Sequence, residues 1–308
     1  MTPIHIPVLS KQVIEALGLR PGGIYIDCTL GEGGHTLRIL ESTDLPIKLL
    51  GLDTDSHAVE AAKKNLSGYL NQVTLLNKSY TNLLNESKKI GFNQVQGIIF
   101  DLGLSSMQLQ GTNRGFSFRT DSPLDMRFND SQQLTAWHIV NLCTEMELRE
   151  ILKELGEEPY AKRIARSIVK SRPVETTVQL ARIIVQAAGR RKGRVHPATR
   201  SFQAIRMKVN DELNNIEKGL DQASNMLSKG GRLVVISYHS LEDRIVKRFI
   251  LNASKDCICD PRVLECSCEH KAYLKNVYKK VVKPNKREIE LNPRSRSARL
   301  RAAERIET

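Results

Sequence analysis

Three aspartates and a tyrosine fall at one kind of place in this chain. Asp27 follows Ile24-Tyr25-Ile26, Asp53 follows the run Lys48–Leu52, Tyr80 follows Val73–Asn77, and Asp101 closes GIIFDL. Each run has the length and apolar character of a short buried strand. Gly31, Gly33 and Gly34 come after Asp27, and Thr36-Leu37-Arg38-Ile39-Leu40 then opens a helical pattern. Strand, glycine turn and helix bring bare backbone N–H groups up to a ligand. A carboxylate at the tip of the second strand, about 20 residues further on, can grip a ribose diol. Thr36 stands where the dinucleotide fingerprint needs its third Gly or Ala. Asp27 would repel a pyrophosphate and can take the ammonium of an amino-acid moiety. The residues therefore favour S-adenosylmethionine (SAM) over a dinucleotide. The bland alternative is an acidic turn with no ligand.

The elements that must position these groups alternate. Helices are expected from Ser10 and Ser56, each serine a plausible N-cap. Strands interleave with them, which predicts an α/β fold with a doubly wound parallel sheet and a ligand at the strands' carboxyl ends. The Tyr80 ring either lies against an adenine or simply packs at its strand end. From Ser105 the run SSMQLQGTNRGFSFRTDSPLDMRFN is loop-like. Its Phe116, Phe118 and Phe128 alternate with Arg114, Arg119 and Arg127, and they either clamp a nucleotide or anchor the loop to a core. Thr135 to about Arg206 is helical throughout. Asp211–Leu227 returns as a helix to a fifth strand, Arg232–Ser237. Tyr238 to Asp243 then lines an acceptor pocket, and with no GxSxG elbow before it a hydrolase is excluded. The expected division is a discontinuous SAM-binding domain, 1–106 and 211–308, around an inserted loop and all-helical domain, 107–210.

The net charge of +13 is uneven. Tyr160–Asn210 holds thirteen Lys and Arg against the one acid Glu175, and Lys271–Thr308 holds twelve against four acids. Two separate basic stretches on an otherwise acidic chain point to a nucleic-acid partner. Arg190, Arg191, Lys192, Arg194 and Arg200 are the candidate phosphate contacts, and the tail NPRSRSARLRAAE is expected to end in a short basic helix. Hydrophobic residues make up 40% of the chain and no apolar run reaches spanning length. With six cysteines in no disulfide framework, the expected location is the cytoplasm. Cys257, Cys259, Cys266 and Cys268 pair at one-residue spacing, narrower than the usual zinc knuckle. Reduced thiols on a late hairpin, and no metal, are the expectation; zinc is the alternative.

Assembled, these pieces resemble the bacterial family of SAM-dependent methyltransferases that modify the exocyclic amine, N4, of a cytidine in small-subunit (16S) ribosomal RNA. HIPVLSKQVIEAL, YIDCTLGEGGH, GLDTD, FDLGLSS, RGFSFRTDSPLDMR, YAKRIARSI, HPATRSFQAIRMKVN, ISYHSLEDRIVKRF and NPRSRSARLRAAE carry the resemblance almost end to end. It implies a Rossmann-like methyltransferase sheet with an inserted helical domain that helps recognise substrate. It aligns Gly33, Gly34, His35, Asp53, Asp101 and Gln108 with SAM contacts and puts Tyr80 where the family can have another aromatic. A 30S particle, assembled or nearly so, is the implied partner, and a homodimer stays open. Asp101, or a backbone carbonyl beside it, is the candidate holder of the amine; alternatively Asp101 serves SAM alone. The rivals are a non-catalytic RNA-binding ribosome-assembly factor and a dinucleotide-dependent oxidoreductase.

Reversing the charge at Arg190, Arg191 and Lys192 is expected to weaken RNA binding and flatten its salt dependence while leaving SAM binding intact. Filter-binding titrations across a salt series check this, and unchanged RNA affinity would remove the patch from consideration.

Overall fold

The structure, a computed structural model, describes residues 7–105, 108, 114–189, 196–260, 262 and 265–306. It divides into two compact units, Met1–Gly103 with Leu213–Thr308, and Leu104–Glu212.

The first unit is built on a seven-stranded sheet of order β3-β2-β1-β4-β5-β7-β6. Its parallel part comprises β1 (Ile24–Asp27), β2 (Lys48–Asp53), β3 (Val73–Asn77), β4 (Val95–Asp101) and β5 (Leu227–Ser237). Pairing sets Tyr25 beside Leu49 and Ile26 beside Leu50, and Ile98 and Ile99 beside Leu233 and Val234. With a side-chain period of two, this register sorts the sheet into two buried faces. Ile26, Leu50, Ile98, Phe100, Leu233 and Val235 face one core, which also holds Ile216, Leu220 and Ala223 of the helix Glu212–Met226. Tyr25, Leu49, Ile99, Val234 and Ile236 face the other, with Val13, Ala16 and Leu17 of α1 (Ser10–Leu17). Burial on both faces is why these strands read as unbroken apolar runs. The remaining helices of the first half are α2 (Gly34–Glu41), α3 (Ser56–Asn65) and α4 (Leu83–Lys89). Ser56 is not the cap of α3: the Asp55 side chain accepts the His57 N–H. Nor does Ser10 cap α1, where Leu9 precedes the helix in a left-handed conformation.

The C-terminal tail departs from expectation. Arg299–Arg305 is a strand, β7, antiparallel to both β5 and β6 (Leu274–Asn276), and not a helix. Helix propensity in RLRAAER is overridden by burial of Leu300, Ala302 and Ala303 in the sheet. Its arginines are engaged at home as well. Arg299 Nη1 lies 2.9 Å from Asp243 Oδ2 and Arg301 Nε 2.7 Å from Oδ1, while Arg305 sits over the Tyr273 ring.

The second unit is helical: α5 (Ala136–Leu142), α6 (Glu145–Glu154), α7 (Ala161–Lys170), α8 (Thr177–Ala188) and α9 (Thr199–Asn210). Thr135 and Thr144 cap α5 and α6 through reciprocal capping boxes. In α7, Ala161, Ile164, Ala165 and Ile168 are buried. Their i, i+3, i+4, i+7 spacing makes an apolar stripe and leaves Lys162, Arg163 and Arg166 on the opposite side. The loop phenylalanines belong to this core. Phe116 stacks on Phe128 with centroids 5.6 Å apart, and Phe118 stacks on His196 at 4.5 Å and meets Phe202 edge-on. Arg127 is likewise committed, through a two-pronged pair with Asp125 at 2.9 and 2.7 Å. The phenylalanines therefore anchor the loop and do not form a free clamp. The helix Glu212–Met226 becomes α10, Ser240–Ala253 is α11 and Lys286–Leu291 is α12.

Candidate active site

Chain order reverses at β1: β2 and β3 lie to one side of it, β4 and β5 to the other. Such a switch point opens a crevice at the strands' carboxyl ends. The turn leaving β1 is tied to both neighbours. On the β4 side, Thr29 Oγ1 accepts the Asp101 N–H at 2.6 Å. On the β2 side, the Leu30 N–H donates to Leu52 O at 2.9 Å and the Gly31 N–H to Asp53 Oδ2 at 2.8 Å. Gly33 then enters α2 at φ +82°, and a Cβ there would come within 3.1 Å of Leu66. The backbone angle requires glycine, and the space beside Leu66 is tight for any side chain. Gly34 is the first residue of the helix, and its buried neighbour His35 the second.

Asp27 does not reach out to a ligand. It is 1% exposed, and its two oxygens are taken by the turn: Thr36 Oγ1 donates to Oδ2 at 2.9 Å and the Thr29 N–H to Oδ1 at 3.2 Å. The expected role in holding an ammonium is corrected to one of internal bracing. This also accounts for Thr36, whose hydroxyl satisfies the buried Oδ2 of Asp27 where glycine would offer it no donor. Burial pushes the Asp27 carboxyl above the usual range, against the opposing pull of His35 and these two donors.

Asp53 is half-buried, and burial drives its carboxyl up to about 6. The Asp55 and Gly31 N–H groups pull the other way, and the charges of Asp55 and Asp27 add to the rise. Each oxygen accepts one backbone N–H, Oδ1 from Asp55 at 2.9 Å and Oδ2 from Gly31 at 2.8 Å. A carboxylate has room for about four donors, so two positions are left for a diol.

Asp101 is held from two sides. The Tyr238 hydroxyl donates to Oδ1 at 2.8 Å, and His35 Nε2 lies 3.3 Å from Oδ2, close but not aligned as a hydrogen bond. Burial would lower the His35 pKa; Asp101 and Asp27 outweigh it and raise it. Burial, reinforced by Asp101, keeps Tyr238 well above its ordinary value, so the phenol stays a donor. Tyr238 is in turn fixed by Glu242, whose Oε2 accepts the Tyr238 N–H at 2.8 Å and the His239 N–H at 3.2 Å. Sequence reasoning singled out the segment after β5 but not Tyr238 itself. The available signal was an aromatic at the first position beyond a strand end.

Tyr80 opens a short 3-10 turn beyond β3. Its ring meets Phe100 edge-on, with centroids 5.3 Å apart, and runs so close to α10 that a Cβ on Gly219 would sit 2.6 Å from it. The ring packs against the core at its strand end. Gln108 lies in the second unit, buried, with its Oε1 accepting the Ser105 N–H at 3.1 Å. Arg190, Arg191, Lys192 and Arg194 lie outside the described residues. Arg200 is described, and its Nη1 donates to Glu157 O at 2.9 Å. The four clustered cysteines converge, all sulfurs lying within 4.8 Å of one another.

The donor set at these strand ends suits one kind of ligand. Asp53 and Asp101 are the partly exposed carboxylates there, with His35 beside Asp101. A pyrophosphate would meet like charge; a ribose diol with a cationic centre would not.

The description of the MraW methylase family matches residues 2–306. A "Ribosomal RNA small subunit methyltransferase H" of Dehalococcoides mccartyi is 49% identical over 302 residues, covering 98% of this chain and 86% of its own length. Its counterpart in Halothermothrix orenii is 46% identical over 308 residues and 98% of each chain. Among solved structures, an rRNA methylase from Streptococcus thermophilus aligns with 97% of this chain and 94% of its own at 12% identity and a TM-score of 0.44, too loose to bear on the chemistry. The chain belongs to the MraW methylase family.

Replacing Thr36 with Val keeps the shape but strips a donor from the buried Asp27. The expected loss is about 1–3 kcal/mol of unfolding free energy. Asp27 titrates above its unfolded value, and the variant holds its proton longer still. The deficit should therefore grow as pH rises and shrink toward the ordinary carboxylate range. Urea unfolding between about pH 5 and pH 8 checks this; a pH-independent deficit would refute the bracing role.

Proposed function

We propose that this member of the MraW methylase family transfers the methyl group of SAM to the exocyclic N4 of a cytidine in small-subunit ribosomal RNA. Its relatives carry that ribosomal RNA in their names. The observation that carries the reading is the Asp101 carboxylate, at the end of β4 beside the switch point, held by the Tyr238 hydroxyl and flanked by His35.

When bound, SAM supplies an electrophilic methyl on a cationic sulfonium. The chain's own residues do the positioning, which is most of the work in such a transfer. Asp53 takes the ribose hydroxyls, the Gly33-Gly34 turn lets the cofactor approach the backbone, and Tyr80 walls the base. Cytosine N4 is a weak nucleophile because its lone pair is delocalised into the ring. An acceptor must hold one N–H while the nitrogen attacks and take the proton as positive charge builds there. Asp101 fills that role: Tyr238 holds Oδ1, and His35 sits beside Oδ2 and tempers its charge. No covalent nucleophile is needed, since the attacked atom lies outside the ring. The base has to be unpaired or drawn from its stack. A small-subunit particle, assembled or nearly so, is the form in which we expect it to be presented, with the basic stretches of the helical insert gripping phosphate.

Asp101→Asn should lower turnover about 10²–10⁴-fold with SAM affinity nearly unchanged. The assay is transfer of labelled methyl to small subunits from cells lacking this protein, with the nucleoside identified. Label on a nucleoside other than N4-methylcytidine would overturn the substrate, and loss of SAM binding in the variant would overturn the acceptor role.

Asp53 predicts a pH dependence. Ribose hydroxyls donate to its ionised form, so its pKa in the complex falls below the free protein's value of about 6. Binding near that pH then expels a proton, and affinity weakens as pH drops through it but is flat well above. Calorimetry in buffers of different ionisation heat reads the proton directly; none released near pH 6 would remove Asp53 from the diol.

A further inference from the structure

The segment between α11 and β6 buries little among its described residues, with Tyr273 at its end packing partly against the sheet's core. Among the described residues of 254–273 none is buried, and Ile258, its described aliphatic side chain of any size, is 49% exposed. Local polar ties are present: Arg262 pairs with Asp260, and the Ala272 N–H donates to Asp256 Oδ1 at 3.3 Å. Such ties between exposed groups contribute little. A loop of this length with so little burial among its described residues calls for some other staple.

The four thiols have the geometry of one. Cys266 Sγ and Cys268 Sγ are 3.6 Å apart, Cys268 Sγ and Cys257 Sγ 3.8 Å, and all four sulfurs including Cys259 lie within 4.8 Å of one another. A zinc ion bound tetrahedrally at about 2.3 Å per sulfur sets its sulfurs about 3.8 Å apart. Disulfides would need about 2.0 Å, and the cysteines are free. A multi-iron cluster sits between its cysteines and holds them farther apart. The backbone is already turned toward the sulfurs: the Ile258 N–H donates to Cys268 Sγ at 3.5 Å and the Cys259 N–H to Cys257 Sγ at 3.4 Å. Such donors orient thiolate ligands around a metal. The second contact also folds Cys257-Ile258-Cys259 into a tight turn, which is how a one-residue spacing still directs both sulfurs inward. His270 is not needed, its Nε2 lying 3.0 Å from Asn252 O.

We propose that Cys257, Cys259, Cys266 and Cys268 bind a single zinc ion that staples the segment between α11 and the edge strand β6. Binding displaces the thiol protons and leaves four thiolates on one divalent ion, with no change of oxidation state.

The test uses the full chain, purified without chelator. Elemental analysis should return about one zinc per chain, with the cysteines unreactive to a thiol reagent until the metal is removed. Stripped protein given cobalt(II) should show the thiolate charge-transfer and intense visible bands of a tetrahedral sulfur site. Hydrogen exchange across 254–273 should slow when zinc is restored. The Cys266→Ser, Cys268→Ser double variant should lose the metal. Essentially no zinc together with four freely reactive thiols would overturn the proposal, as would iron in place of zinc, or full zinc retention in the double variant. Because metal content and cobalt spectra are read on the unmutated chain, misfolding of the variant cannot mask the answer.

Discussion

The site depends on keeping one carboxylate dry. Asp27 closes β1 with its oxygens given to Thr29 and Thr36. Those bonds fix the distance between the end of the strand and the start of α2. Neighbouring bonds carry the constraint sideways, Thr29 to β4 and Leu30 and Gly31 to β2. Three strand ends are thereby held in one register without help from a ligand. A buried carboxylate is costly unless fully partnered, so this turn has few alternative conformations. That rigidity holds Asp53 and Asp101, two strands apart in the sheet, in a fixed relation at the mouth of the crevice.

A second layer of support comes from beyond β5. Glu242 caps the start of α11 and in doing so fixes Tyr238, and Tyr238 fixes Asp101. A carboxylate at a strand tip would otherwise swing between rotamers. Here its direction is set by a phenol that burial keeps protonated. Asp243, one residue after Glu242, ties the same helix to β7 through Arg299 and Arg301. The antiparallel strand β7, between β5 and the edge strand β6, is thus tied through α11 to Tyr238 and Asp101.

The helical unit solves a different problem. Its basic composition reflects helices that bury one apolar stripe and expose the rest, as α7 does with Ile164 and Ile168 inward. The loop before it is pinned by stacked phenylalanines rather than left free, and Arg127 serves Asp125. Net charge alone therefore overstates how many cations stand ready for phosphate. Arg299 and Arg301 are already paired, and the charges still exposed on the helices are the ones that count.

Local pattern determined the parallel strands, the glycine turn and the three aspartates at strand tips, because buried strands and tight turns leave period and composition marks that survive without any partner. The same patterning showed a helical insert. Tertiary structure alone decided the rest, each time because the deciding partner is remote in sequence. RLRAAER became a strand since β5 offered a ladder edge and a core. Asp27 turned inward because Thr36 could meet it. Tyr238 gained its role by lying 137 residues from Asp101 in the chain yet 2.8 Å away in space. The cysteines, whose spacing argued against a metal, were brought together by a turn that only the folded backbone defines.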